Sequence, residues 1–249
     1  MQAGLYEKLF FVDKLYLTGH DHVDVLVDFG CADGSLIRWL RQLWPDCRYI
    51  GYDIDPVMIE QAKRNCPDVT FTSNWNEVVR SVFTVHGVLA INLSSVLHEV
   101  YSYCDENEIA QTIDKISGLH PDLIFVRDMY YPSHRAESTH PDVLAAICGN
   151  KIHYDQLREF EKHWGPVTGT KNLMHFLLKY RYTENWDREV QENYFSIPSN
   201  IATLFPHVEC KYIKTKAHDY TLQQVKSDFG VKLSGEQYHT HIECILSKS

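Results

Sequence analysis

Three groups of residues in this 249-residue chain have the types and spacing to do chemistry. The first is the run Asp28-Phe29-Gly30-Cys31-Ala32-Asp33-Gly34-Ser35, where small residues let the backbone approach a ligand and free amides collect at the start of a helix. The second is Asp53, which lies 23 residues beyond Gly30, the distance expected for a carboxylate that accepts both hydroxyls of a ribose. The third is His98 with Glu99: an imidazole titrates near neutral pH and suits a general base, and the carboxylate beside it can orient it. A dinucleotide needs G-x-G-x-x-G to seat its pyrophosphate, whereas Ala32 stands between Gly30 and Gly34 here, and Asp28 and Asp33 flank the turn. Carboxylates repel a pyrophosphate. They suit a ligand that carries an ammonium and a sulfonium.

The elements that must position these residues follow from hydrophobic periodicity. VDVLVDF (23–29) reads as a first strand, and residues 33–43 as a helix with Leu36, Ile37, Leu40 and Leu43 on one face. CRYIGYD (47–53) makes a second strand, and Pro56 opens the next helix at its favoured first position. VTFT (69–72), VHGVLAIN (85–92) and PDLIFVRDM (121–129) supply three more strands, with a capping box at Asp105 and Glu108 starting the helix that ends near Gly118. Such alternation predicts an α/β fold: a doubly wound, mostly parallel sheet, whose ligands sit beyond the carboxyl ends of the strands at the switch point. Residues 130–205 show no strand run but helical stretches at 151–164 and 172–195, which predicts a helical insertion after strand five. Strand character returns at 208–216 and 240–248, around a short helix that Gly230 closes with a left-handed cap. With no repeat or flexible linker, 1–249 is expected to be a single domain.

DFGCADG and, in register after it, GYDIDPVMIEQAKRN resemble the first two motifs of the class I S-adenosylmethionine-dependent methyltransferases. The middle glycine of the first motif is Ala32 here. The resemblance implies a Rossmann-like methyltransferase fold of seven strands in the order 3-2-1-4-5-7-6, with S-adenosyl-L-methionine as cofactor. It implies cofactor contacts from Asp28, Gly30, Cys31, Ala32, Gly34, Asp53 and Ile54. By position after strand three it places Asn74 and Trp75 at the adenine, and within INLSSVLHEV (91–100) it places Asn92, Leu93 and Ser94 along the methionine portion. His98 is then the candidate base beside the transferable methyl, with Glu99 its partner. No metal is implied. The resemblance covers 20–130 and 207–248; the insertion matches no motif of the family.

The remaining sequence bounds the acceptor. Hydrophobic residues make up 44% of the chain, enough for a buried core, and no apolar run reaches the length of a membrane span. Glu7, Lys8, Asp13 and Lys14 interrupt the apolar N-terminus, so a secretory leader is not expected and a soluble, cytoplasmic protein is. Seven dispersed cysteines without a C-x-x-C read as reduced thiols. The first 130 residues hold 19 Asp and Glu against 10 Lys and Arg, and the rest holds 14 of each, which disfavours broad contact with phosphate backbones. Lys171, Lys179, Arg181 and Arg188 are accompanied by Glu184, Asp187, Glu189 and Glu192, so they read as a solvated face. His20-Asp21-His22 and His239-Thr240-His241 read as structural, the latter pair pointing to one face of a strand. The insertion is expected to be a substrate lid, with Tyr130, Tyr131, His134, Arg135 and His140 on the cofactor rim and Phe176, Leu177, Tyr180, Trp186, Val190 and Tyr194 packing it. The expected function is methyl transfer to an oxygen or nitrogen of a small molecule. An RNA methyltransferase and a non-catalytic S-adenosylmethionine-binding subunit are the alternatives; the oligomeric state is unknown.

Overall fold

The computed structural model describes residues 2–84, 86–132 and 138–249, so His134 and Arg135 lie outside the described residues. Seven strands form one sheet in the order β3-β2-β1-β4-β5-β7-β6, as the resemblance implied. These are β1 (Val25–Phe29), β2 (Arg48–Tyr52), β3 (Thr70–Thr72), β4 (Leu89–Ser94), β5 (Leu123–Met129), β6 (Val208–Lys216) and β7 (His241–Lys248). The first five run parallel; β7 runs antiparallel to both β5 and β6. Every residue of β1 and of β4 is buried, because helices cover both faces of a parallel sheet.

Ten α-helices surround the strands among the described residues: α1 (Gln2–Lys8), α2 (Ser35–Leu43), α3 (Pro56–Asn65), α4 (Trp75–Phe83), α5 (Leu97–Tyr103), α6 (Glu106–Ser117), α7 (Pro141–Cys148), α8 (Tyr154–Trp164), α9 (Thr170–Lys179) and α10 (Asp219–Phe229). Strand alternation sends Val27, Ile91, Leu93 and Val126 into one core and Leu26, Ala90 and Phe125 into the other. The opening segment, which periodicity alone leaves without an element, packs on the second core: the rings of Phe11 and Phe125 stack with centroids 4.2 Å apart. The capping box at Asp105 and Glu108 and the left-handed Gly230 cap both form.

The insertion has a core of its own. Leu157, Phe160, Leu173, Phe176, Leu177 and Tyr180 pack with Val225 and Phe229 of α10, so the insertion is fastened to the closing hairpin. The helix expected over 172–195 stops at Lys179, because the indole N–H of Trp186 folds back onto the Lys179 carbonyl at 3.1 Å and satisfies the helix end. Residues 180–195 then run through a 3-10 turn at Thr183–Asn185 and successive tight turns. The His239/His241 reading is also corrected: β7 begins at His241, and His239 precedes it, its Nδ1 3.1 Å from Thr215 Oγ1.

Candidate active site

The glycine turn is built by its neighbours. Gly30 and Cys31 both donate their N–H to the carbonyl of Tyr52, at 2.8 and 3.0 Å, which ties the end of β1 to the end of β2. Gly30, Ala32 and Gly34 all take positive φ, 79°, 45° and 75°. A Cβ on Gly30 would stand 2.9 Å from Val96 Cγ2, so the turn approaches the loop after β4 as closely as a glycine allows. Ala32 holds its conformation against the usual steric cost, and its N–H donates to Asp53 Oδ2 at 2.8 Å. Asp53 Oδ1 accepts from Asp55 N at 2.9 Å, so two backbone bonds aim the carboxylate while each oxygen keeps a lone pair. Asp33 caps the next turn by accepting from Ser35 N at 3.1 Å. The side chain of Cys31 points down into the core, where burial pushes its thiol up out of the reactive range.

A cavity of about 220 Å³ opens beside this turn, lined by Phe29, Gly30, Tyr52, Asp53, Ile54, Val96, Glu99, Val100 and Tyr103 among others. Ile54 is 80% exposed on its wall, a largely bare apolar face. Trp75 and Asn74 do not line this cavity. The Trp75 ring packs edge-on against Phe29 and Tyr52, at 5.8 and 5.2 Å, beneath the cavity, and the Asn74 side chain caps α4 by accepting from Asn76 N at 3.0 Å.

Across the β1–β4 pairing, Asp28 faces Asn92 in register and accepts a hydrogen bond from its amide at 2.7 Å; Ser94 Oγ then donates to Asn92 Oδ1 at 3.2 Å. Leu93, between them, points to the opposite face and is fully buried in the first core. Burial pushes the Asp28 carboxyl up to about 6, helped by Asp53 and opposed by the Asn92 bond and Lys8. Asp28 is therefore a buried acid with no counter-ion in contact among the described residues.

His98 sits in a different setting from a solvent-facing base. It is 3% exposed, with Asp128 Oδ1 2.6 Å from Nδ1 and Glu192 Oε1 3.2 Å from Nε2. A ring that meets a carboxylate at each nitrogen carries both protons. Burial acts to lower its pKa, but Asp128, Glu192 and Glu99 outweigh it and raise it to about 10. Asp128 also caps α5, its Oδ2 accepting from Val96 N at 2.9 Å and Leu97 N at 2.7 Å. Glu99, one residue on, lines the cavity mouth and makes no hydrogen bond or ion pair among the described residues. It is open to solvent yet walled by protein, and desolvation raises its pKa, with Glu192, Asp128 and Asp53 adding and His98 opposing.

Asp128 and Glu192 were not singled out from sequence as site residues. An acid ending the fifth strand was a usable signal for Asp128; Glu192 lay in an apparent solvated face and gave none. Val96, Val100 and Tyr103 of the cavity wall follow from the tight Gly30 turn only once the chain is folded.

The profile of a methyltransferase domain matches residues 27–119. Trans-aconitate 2-methyltransferase of Escherichia coli (strain K12 / DH10B) is 36% identical over 62 residues, which are 23% of this chain and 25% of that protein. The Klebsiella pneumoniae (strain 342) protein of the same name is 39% identical over 59 residues, 24% of this chain and 23% of that one. The match thus spans about a quarter of the length of these relatives. Among solved structures, a putative sarcosine dimethylglycine methyltransferase from Galdieria sulphuraria superposes with a TM-score of 0.51 at 10% identity, over 98% of this chain and 86% of that one. The methyltransferase domain of bacterial CtHen1-C gives 0.50 at 12% identity over 99% of both chains. At such identities the structures speak for the fold alone. Residues 27–119 match a methyltransferase domain, and the fold and strand order of the chain are similar to those of the class I S-adenosylmethionine-dependent methyltransferases.

Proposed function

We propose that the protein transfers a methyl group from S-adenosylmethionine to an oxygen or nitrogen of a small-molecule acceptor. The observation that carries this reading is the cavity beside the glycine turn, with the oriented carboxylate of Asp53 at one side and the bare face of Ile54 at the other. Its residues fit the cofactor. Asp53 has lone pairs left for the ribose hydroxyls, Ile54 and Val96 offer apolar faces for the adenine, and Gly30 leaves room where any Cβ would strike Val96. Asp28 supplies negative charge where the amino-acid end and sulfonium would lie, in line with its unpaired, raised carboxyl.

The cofactor, when bound, supplies an electrophilic methyl on a cationic sulfur. The chain's own residues must align the acceptor and hold its proton, and alignment alone contributes roughly 7 to 11 kcal/mol. Glu99 is the proton acceptor in this reading, because it faces the cleft and no cation pairs with it among the described residues. His98 cannot accept a proton that it already holds, so it serves the site by position. The insertion closes over the acceptor and excludes water. The matched relatives are named for methylating trans-aconitate; a small acceptor is the reading that an acidic cleft without a basic strip supports.

Calorimetry with S-adenosylhomocysteine and with NAD tests this directly. Micromolar binding of the thioether and none of NAD is expected. Binding of NAD in its place, or of neither, overturns the assignment.

A further inference from the structure

The insertion returns a carboxylate to the start of α5. Glu192 Oε1 lies 3.2 Å from His98 Nε2 while Asp128 Oδ1 lies 2.6 Å from Nδ1, so the ring is gripped from the insertion on one side and from the tip of β5 on the other. The grip extends beyond the ring. Ser196 Oγ donates to the His98 carbonyl at 2.9 Å, Asn193 N donates to Ser102 Oγ at 3.0 Å, and Tyr103 OH donates to Glu192 Oε2 at 3.2 Å. Three residues of the insertion therefore hold three residues of α5. The same helix start presents Val96 and Glu99 to the cofactor cavity.

We propose that Glu192 is a positioning residue: acting through His98, it fixes the first turn of α5, and the cavity wall made by Val96 and Glu99 is complete only while this part of the insertion is docked. The proposal rests on reading the cavity as the cofactor site. Its physical basis is that an imidazolium between two carboxylates is a rigid joint. Each N–H is directed, the ring is out of water, and neither acid has a shorter way to be neutralised. The groups facing His98 are Asp128 from β5, Glu192 and the edge of Tyr194 from the insertion, and Glu99 from its own helix. His241 of β7 acts on it at longer range. Behind Tyr194 stands a second ion pair: Lys179 Nζ donates to Glu189 Oε2 at 2.7 Å and lies 3.8 Å above the Tyr194 ring, so the segment that carries Glu192 is itself anchored.

The test uses the full-length chain labelled with nitrogen-15, with the His98 ring signals assigned by their loss in His98→Gln. In the wild type both ring nitrogens stay protonated at pH 8. In Glu192→Gln the pH at which His98 titrates falls by about one to three pH units, as expected when one adjacent opposite charge is removed. Amide hydrogen exchange at Leu97 and His98 becomes at least about tenfold faster in the same variant, since the turn loses its outer hold. A neutral His98 in the wild type at pH 7 overturns the proposal. So does a shifted titration with unchanged exchange, because Glu192 would then set a charge and hold nothing, and so does faster exchange with an unshifted titration, because the route would bypass His98. If Glu192→Gln does not fold, the wild-type titration still decides, together with Ser196→Ala, which is expected to speed exchange in α5; unchanged exchange there overturns the proposal. S-adenosylhomocysteine binding by the wild type is measured alongside. Its absence would defeat the reading of the cavity and leave the joint standing.

Discussion

Two clusters of acids lie within this molecule and are treated in opposite ways. Asp128, Glu192 and Glu189 are each matched by a cation in contact: His98 serves the first two and Lys179 the third. Asp28, Asp53 and Glu99, around the cavity, are matched among the described residues by backbone amides, a neutral amide or nothing. A protein that leaves carboxylates uncompensated pays in stability at those points, and the compensation must come from a bound group. The paired cluster holds the scaffold; the unpaired one marks where a cation is expected.

Removing the cation from the paired cluster should give the largest effect. His98→Ala leaves Asp128 buried with neither its ion pair nor its neutraliser, and should cost about 3 to 5 kcal/mol in chemical unfolding. The pH dependence follows from the same pairing. The folded pKa of about 10 lies above the ordinary 6.5, so the contribution of His98 is complete below about pH 6.5 and is lost as pH rises toward 10. Wild-type stability should therefore fall across that window, and a His98→Gln variant should lack that part of the slope. A loss under 1 kcal/mol in His98→Ala would show that the two clusters do not differ as described.

On the unpaired side, Glu99→Gln should leave unfolding unchanged or slightly raise stability, because no partner is lost and a carboxylate crowded by other acids is neutralised, while slowing turnover about a hundredfold. The readout is S-adenosylhomocysteine released with trans-aconitate or another small acceptor that supports turnover. Unchanged turnover would remove Glu99 from proton transfer and leave alignment as the whole of the chemistry.

The two clusters also differ in how far the sequence reveals them. Asp28 and Asp53 are legible because their placement is local: a strand end, a glycine turn and a fixed spacing to the next strand end determine where they go. The same local logic located the insertion boundary, while the strand order followed from the resemblance. The contacts of Trp75 are not legible from position alone, because they come from two aromatic residues on strands, Phe29 and Tyr52, that only the folded sheet brings to its ring. His98 looked like a base because sequence shows its position after strand four and not the carboxylates that reach it from β5 and the insertion. The end of α9 was hidden for a related reason, since it depends on an indole that folds back from Trp186.

Asp53 gives the next effect in size. On the proposed reading Asp53→Ala removes a charged acceptor of ribose hydroxyls, along with the bond that holds Ala32, so S-adenosylhomocysteine affinity should fall by about 1.5 to 3 kcal/mol in calorimetry. Asp28 adds a pH signature to the wild type. Its carboxyl, raised to about 6, takes up a proton below that pH and, on the proposed reading, loses its attraction for the ligand's ammonium, so affinity should weaken as pH falls from 7 to 5. Affinity that is flat over this range would place the amino-acid end of the ligand away from Asp28.

Ala32→Gly should give the smallest change, and it separates the turn's conformation from its charge. Ala32 holds φ at 45°, where an L side chain costs about 1 to 2 kcal/mol. Glycine removes that cost and adds about 0.5 to 1 kcal/mol of chain entropy lost on folding. The balance favours glycine by roughly 0.5 kcal/mol, read as a small rise in the urea midpoint. The N–H bond to Asp53 is unaffected by the substitution, so S-adenosylhomocysteine affinity should hold within about twofold. Gly34→Ala makes the contrast: it imposes the same positive φ on a side chain and drives its Cβ to 2.9 Å from Phe71, so it should destabilise where Ala32→Gly does not. A clear loss of stability in Ala32→Gly would mean that the methyl group packs usefully, and that the family's middle glycine is absent here because the alanine contributes contact, at the expense of backbone strain.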